Sequence, residues 1–172
     1  WAGYEATPLH CLGTIAKELK VADIYLKDES PRFGLGSFKA LGGAYAVFKV
    51  LSHLIKEQTG IEKINSADLR NGTYEAICKN ITVVTATDGN HGKSVAWGAR
   101  EFGCQCKIYI HREVSKGREQ AIAKFGCEMV RISGNYDDSV RQADMDSHKN
   151  NWHLVSDTSY PGYMDVTKYV MQ

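Results

Sequence analysis

Two short segments of this 172-residue chain hold residue types that can do chemistry, and a third shares their punctuation. In Lys27-Asp28-Glu29-Ser30-Pro31-Arg32-Phe33-Gly34-Leu35-Gly36-Ser37-Phe38-Lys39-Ala40, Lys39 stands between Phe38, Ala40 and Leu41. Partial burial there disfavours its charged form, and a neutral amine is the nucleophile that attacks a carbonyl carbon. Taken alone, Lys39 reads first as a surface lysine with its stem packed along a helix. In Thr85-Ala86-Thr87-Asp88-Gly89-Asn90-His91-Gly92, a strand runs through a glycine turn into a helix start. That geometry offers backbone N–H groups and the Asn90 amide to a ligand. As an ordinary βα turn it needs only Asp88 or Asn90 as helix cap, with His91 structural. The third segment, Ser156 to Gly162, contains Asp157, which by itself reads as a turn residue before Thr158-Ser159.

These segments must be positioned by the elements between them. Leu9, Leu12, Ile15, Ala16 and Leu19 fall at helical spacing, with Thr7-Pro8 as the start. Ile24 to Leu26 reads as a short strand and Asp28 to Gly36 as a loop. Ser37 caps a long helix from Phe38 to about Gln58, which Thr59-Gly60 closes. Lys63 to Lys79 is polar and weakly periodic, an excursion or a short helix. A rhythm follows. Strands are expected at Ile81–Thr85, Lys107–His111, Glu128–Ile132 and Trp152–Val155. Helices are expected at Lys93–Phe102, Ser115–Phe125 and Tyr136–His148. Strand–helix alternation of this kind builds a parallel sheet with right-handed crossovers. Ligands of such sheets gather at the C-terminal ends of the strands, where the three segments are expected.

Composition narrows the function classes. Lys+Arg 21 against Asp+Glu 20 leaves a net charge of +1, no excess for gripping nucleic-acid phosphates. No apolar run reaches the length of a membrane span. The five cysteines are too few and too irregular for a disulfide scaffold. Cys104 and Cys106 lack the usual zinc or redox spacing, and no metal site is expected. Buried, reduced thiols fit a cytoplasmic protein. Gly34-Leu35-Gly36-Ser37 matches neither nucleotide-loop fingerprint, and no acidic ribose ligand follows one. Trp1 opens without an initiator Met, and Tyr163 to Gln172 begins a helix without finishing it, so the chain is expected to be a fragment.

Taken together, SFKA followed by a GNHG turn resembles the fold-type II pyridoxal-phosphate (PLP) enzymes. Serine and threonine dehydratases and the tryptophan synthase β-subunit belong to that group. KDESPRFGLGSFKALGGAYAV, TDGNHG and SDTSYPGY are most similar to the diaminopropionate ammonia-lyase family, and Tyr4 to Leu9 resembles the group's TPL entry. The resemblance implies a three-layer αβα fold with a parallel sheet. It implies that residues 1–40 belong to the large PLP-binding domain, 41–155 to a small βαβ domain, and 156–172 to the return toward the large domain.

For the site, the resemblance implies that Lys39 bonds covalently to PLP and then handles a proton at the substrate's Cα. Asn90 matches the residue that hydrogen-bonds the cofactor's 3′-oxygen, and Phe38 the position packing near its ring. Asp88, where most dehydratases carry a small residue, matches the base that serves the D-isomer from the other face. Asp157 matches the carboxylate that binds the substrate's second ammonium. The implied reaction eliminates ammonia from 2,3-diaminopropionate to give pyruvate, in a homodimer. The phosphate cradle and the pyridine-nitrogen partner are expected beyond residue 172, so the isolated chain is expected to be inactive. Two other readings stand beside this one: a serine/threonine dehydratase-like lyase, and a truncated, non-catalytic binding module.

Overall fold

The computed structural model describes Trp1 and residues 3–171, leaving Ala2 and Gln172 aside. Its internal contacts divide the chain into two units, Trp1–Phe38 and Lys39–Gln172.

In the first unit, β1 (Leu9–Cys11) runs antiparallel to β2 (Tyr25–Lys27), with Leu9 opposite Lys27 and Cys11 opposite Tyr25. Helix α1 covers only Gly13–Leu19 and ends at Lys20 in the left-handed region, φ 55°. The helix expected from Leu9 onward is therefore split. Residues 9–11 find ladder partners in β2, and the Leu12 N–H donates to the Ile24 carbonyl at 2.8 Å, so pairing across the chain overrides the helical spacing. The loop after β2 tightens into one 3₁₀ turn at Arg32–Gly34. Buried Arg32 ties it down. Its guanidinium donates to both Glu29 oxygens, at 2.7 and 2.9 Å, and to the Glu5 carbonyl at 2.7 Å, and it lies over the Tyr4 ring. Those hydrogen bonds and one from Thr7 hold the Glu29 carboxyl at about 2. The Asp28 to Gly36 segment thus follows a strand of this two-stranded antiparallel ladder, not a strand of the parallel sheet.

The second unit opens with α2 (Lys39–Thr59), followed by short α3 (Ser66–Arg70) and α4 (Glu75–Cys78) in the polar excursion. Then come β3 (Thr82–Ala86), α5 (Asn90–Phe102), β4 (Gln105–Ile110), α6 (Lys116–Ala123), β5 (Glu128–Arg131), α7 (Tyr136–Asn150), β6 (His153–Leu154) and α8 (Asp165–Met171). The four strands form one parallel sheet in the order β5-β4-β3-β6. Thr82 pairs with Gln105, Lys107 with Glu128 and Val83 with His153. All five β3 residues are buried, as a central strand covered on both faces requires. Val84, Ala86 and Tyr109 meet Ala143 of α7, with Val130, Val140 and Leu154 around them. On the opposite face α5 lies against the sheet, with Gly92 close to Thr87 and Ile108. Outside α5 runs α2, where Gly98 comes against Ala44. The result is the expected three-layer αβα arrangement.

Caps account for most boundaries. Ser115 accepts from the Arg118 N–H, as its position suggests. Asn135 and Asp138 form a reciprocal capping box at the start of α7. That helix runs past His148 because Asn151 supplies the left-handed stop, φ 56°. All five cysteines are free thiols, but Cys11 is exposed rather than buried, and Cys104 precedes β4 instead of lying in it. Among the described residues no helix is long and apolar enough to cross a membrane, and no group of three or more His, Cys, Asp or Glu could hold a metal ion.

Candidate active site

Within the second unit, close packing of small residues sets the site. A Cβ on Gly43 would lie 2.6 Å from the Ser94 hydroxyl, and one on Gly98 would lie 2.8 Å from the Ala44 Cα. Only glycine lets α2 and α5 approach this closely. Ser94 then pins the first turn of α2. Its hydroxyl donates to the Ala40 carbonyl at 2.9 Å and accepts from the Ala44 N–H at 3.0 Å. Helix α8 closes over the same turn, where a Cβ on Gly42 would strike the Val170 carbonyl. Lys39, the first residue of α2, is fixed by these contacts.

The turn after β3 is built on Thr87. Its hydroxyl accepts from the Gly89 N–H at 3.0 Å and from the Gly92 N–H at 3.1 Å. This threonine clamp turns Asp88 and Asn90 outward while burying His91. The loop after β6 hangs on Tyr163. Its hydroxyl donates to the Leu154 carbonyl and accepts from the Ser156 N–H, both at 2.8 Å. Thr158 N–H donates to Ser156 Oγ, and Thr167 of α8 donates to the Ser156 carbonyl. Asp157 therefore has a fixed backbone.

These elements bring together two residues 118 apart in sequence. The Lys39 Nζ donates to Asp157 Oδ2 at 2.6 Å. The lysine side chain is 36% exposed and the aspartate 18%. The partial burial expected of Lys39 is thus accompanied by an ion pair. Burial pushes the Asp157 carboxyl up, but His91 and the Lys39 ammonium outweigh it and hold the group below its ordinary range. His91 is 2% exposed; its Nε2 is 2.7 Å from the Val155 carbonyl oxygen and its Nδ1 4.0 Å from Asp157 Oδ2.

Asp88 and Asn90 face a depression of about 240 Å³ shared with Lys93, Arg118 and Ile122. A phenol bridges the two loops electrostatically. Burial raises the Tyr136 hydroxyl, and the Asp157 and Asp88 carboxylates push it the same way. Phe38 is 70% exposed. Sequence reasoning passed over Ser94 and Tyr163 and set His91 aside as structural. Gly43 and Gly98 were the available signal for the tight α2–α5 approach.

The residues present fit PLP. The cofactor's aldehyde needs an amine on a fixed element that is partly open to solvent and not locked in the core, and Lys39 meets that description. The buried, unpartnered Nδ1 of His91 beside Asp157 adds a proton-accepting atom to the same spot. The chain belongs to a family defined by that cofactor: the pyridoxal-phosphate dependent enzyme family matches it over residues 1–172.

Within the family, it is 40% identical over 171 residues to the diaminopropionate ammonia-lyase of Escherichia coli (strain K12), covering 99% of this chain and 42% of that protein. The crystal structure of the Escherichia coli enzyme in complex with D-serine superimposes with a TM-score of 0.88 at 39% identity, again over 99% of this chain and 42% of that one. A more distant relative, a probable D-serine dehydratase of Rhizobium etli (strain CIAT 652), is 26% identical over 124 residues, which is 70% of this chain and 27% of that one. The chain spans less than half the length of each of these relatives.

Proposed function

We propose that this chain is the N-terminal portion of a PLP-dependent diaminopropionate ammonia-lyase, which eliminates ammonia from 2,3-diaminopropionate to give pyruvate. The observation that carries the reading is the Lys39–Asp157 contact. Asp157 already binds one alkylammonium group, that of Lys39. A substrate's second ammonium is the same chemical group and can take that place once the lysine nitrogen is engaged elsewhere. The 40% identity over nearly the whole chain supports the same substrate class.

When bound, PLP supplies an electron sink for the charge that develops at the substrate's Cα. Lys39 would hold the cofactor through its nitrogen and move a proton at Cα. Asp88, on the neighbouring loop, accepts the proton from the opposite face of the D-isomer. With the cofactor bound, Asn90 would donate to its 3′-oxygen, Phe38 would pack near its ring, and Asp157 would orient the second ammonium. Residues 1–40 are assigned to the large PLP-binding domain, 41–155 to the small domain and 156–172 to the return. The phosphate and pyridine-nitrogen partners are assigned to the remainder of the protein, so the 172-residue piece alone should bind PLP poorly. A homodimer in the cytoplasm completes the proposal, tested by light scattering and cell fractionation.

The deciding experiment measures pyruvate released by the complete enzyme from diaminopropionate and from serine. Faster turnover of serine would replace this reading with a dehydratase. Lys39→Ala should abolish both pyruvate release and the visible absorbance of bound cofactor; a band that persists would remove Lys39 from its role.

A further inference from the structure

Among the described residues, Nδ1 of His91 is the buried side-chain nitrogen or oxygen left without a hydrogen bond. Its other nitrogen, Nε2, faces the Val155 carbonyl at 2.7 Å. A carbonyl only accepts, so Nε2 carries the hydrogen and Nδ1 presents a lone pair. That lone pair points toward Asp157 Oδ2 at 4.0 Å, the same oxygen that Lys39 Nζ reaches at 2.6 Å. An unpaired acceptor beside a carboxylate in a buried place is unfavourable. A proton on Nδ1 would turn it into a charge-assisted donor. Nζ, Oδ2 and Nδ1 thus form a chain with a vacant proton position at the histidine end.

We propose that His91 is a positioning residue that ends a Lys39–Asp157–His91 proton relay, deepening the function assigned above. The proton leaving Lys39 Nζ passes by way of Asp157 Oδ2 to His91 Nδ1. One N–H bond of Lys39 breaks and its electron pair stays on the nitrogen. One Nδ1–H bond forms from the imidazole lone pair, and the net charge of the three groups is unchanged. Lys39 is left as the amine that can attack a carbonyl carbon, while Asp157 keeps a cation at its side. Closing the 4.0 Å gap to hydrogen-bond length takes about 1 Å of side-chain movement.

The surrounding groups are consistent with this traffic. Burial lowers His91, Asp157 works in the opposite direction, and the Lys39 charge lowers it further. Removing the lysine charge therefore favours protonated His91. The phenols of Tyr136, from α7, and of Tyr163, from the loop before α8, also face Asp157; both are pushed up and stay protonated. The Asp88 carboxylate pushes Tyr136 up as well.

The test uses the complete protein stripped of cofactor, labelled with ¹⁵N-histidine and titrated by NMR. His91→Gln identifies the resonances; glutamine keeps a donor for the Val155 carbonyl but takes up no proton. Wild-type His91 is expected to carry its hydrogen on Nε2 near neutral pH. Lys39→Ala should raise its titration midpoint by about one pH unit, and Asp157→Asn should lower it by a similar amount. If either substitution leaves the midpoint in place, or if the hydrogen resides on Nδ1, the relay is overturned. A second measurement follows PLP capture by visible absorbance across pH. The His91→Gln protein should capture PLP about 100-fold more slowly at neutral pH and recover in alkali; capture at the wild-type rate throughout would also overturn the relay. Neither readout depends on the amino acid turned over. Preference for serine would sink the assigned substrate and leave the relay standing, and the reverse holds as well.

Discussion

Gly92→Ala tests how the Asp88–Asn90 turn is held. The added Cβ would sit 2.3 Å from Thr87 Cγ2, 3.0 Å from Thr87 Cβ and 3.2 Å from Ile108 Cγ2. Thr87 cannot swing aside freely, because its hydroxyl receives the N–H groups of Gly89 and Gly92. Overpacking of this kind costs about 1–3 kcal/mol. Each backbone hydrogen bond lost as Thr87 yields adds about 1 kcal/mol. Alanine's better helix propensity returns roughly 1 kcal/mol, leaving a net loss of about 1–3 kcal/mol. For a domain of this size that is a fall of roughly 3–10 °C in the thermal midpoint. Thr87→Ser removes the offending methyl and keeps the hydroxyl. In the double variant it should recover more than half of the fall. Circular dichroism melts of the four proteins suffice. A Gly92→Ala protein that melts at or above wild type, or a double variant with no recovery, would refute the clamp.

Other substitutions probe the remaining supports. Ser94→Ala should destabilise the protein by about 1–2 kcal/mol in urea unfolding, since two buried partners on α2 lose their hydroxyl. Glu29 has its carboxyl lowered from 4.5 to about 2. Its contribution is therefore complete above pH 4.5 and disappears as pH falls toward 2. The melting difference between wild type and Glu29→Gln should shrink over that window; a constant difference would contradict the Arg32 pairing. Asp157 is likewise depressed below 3.8. Wild type and Asp157→Asn should differ at neutral pH and converge only in stronger acid, as the carboxylate is protonated in the folded state. Convergence already at pH 6 would contradict the ion pair.

The parallel sheet was legible because its strands carry β-branched runs such as Ile81 to Thr85 and alternate with helix-length segments. Leu9–Cys11 misled because a three-residue strand has too little sequence to outweigh five apolar residues at helical spacing, and its partner lies beyond α1. In the site, residue types pointed to Lys39 and Asn90 through their local segments. The pairing of Lys39 with Asp157 was not readable from spacing, since it depends on how closely α2 and α5 approach and on the anchoring of the loop after β6. The surroundings of His91 were unreadable for a similar reason. A histidine's identity says nothing of which nitrogen is satisfied, and only the fold sets Nε2 against Val155 and leaves Nδ1 facing a carboxylate.

The Tyr163 hydroxyl has a consequence for solubility. On the side of β6 away from β3, the Leu154 carbonyl and the Ser156 N–H would form the next rung for an incoming strand. The phenol occupies both at 2.8 Å, so within the described residues one tyrosine takes the place a neighbouring strand would fill. Replacing it with phenylalanine would keep the ring and expose a sticky margin, making turbidity on concentration a more sensitive readout than any melting curve.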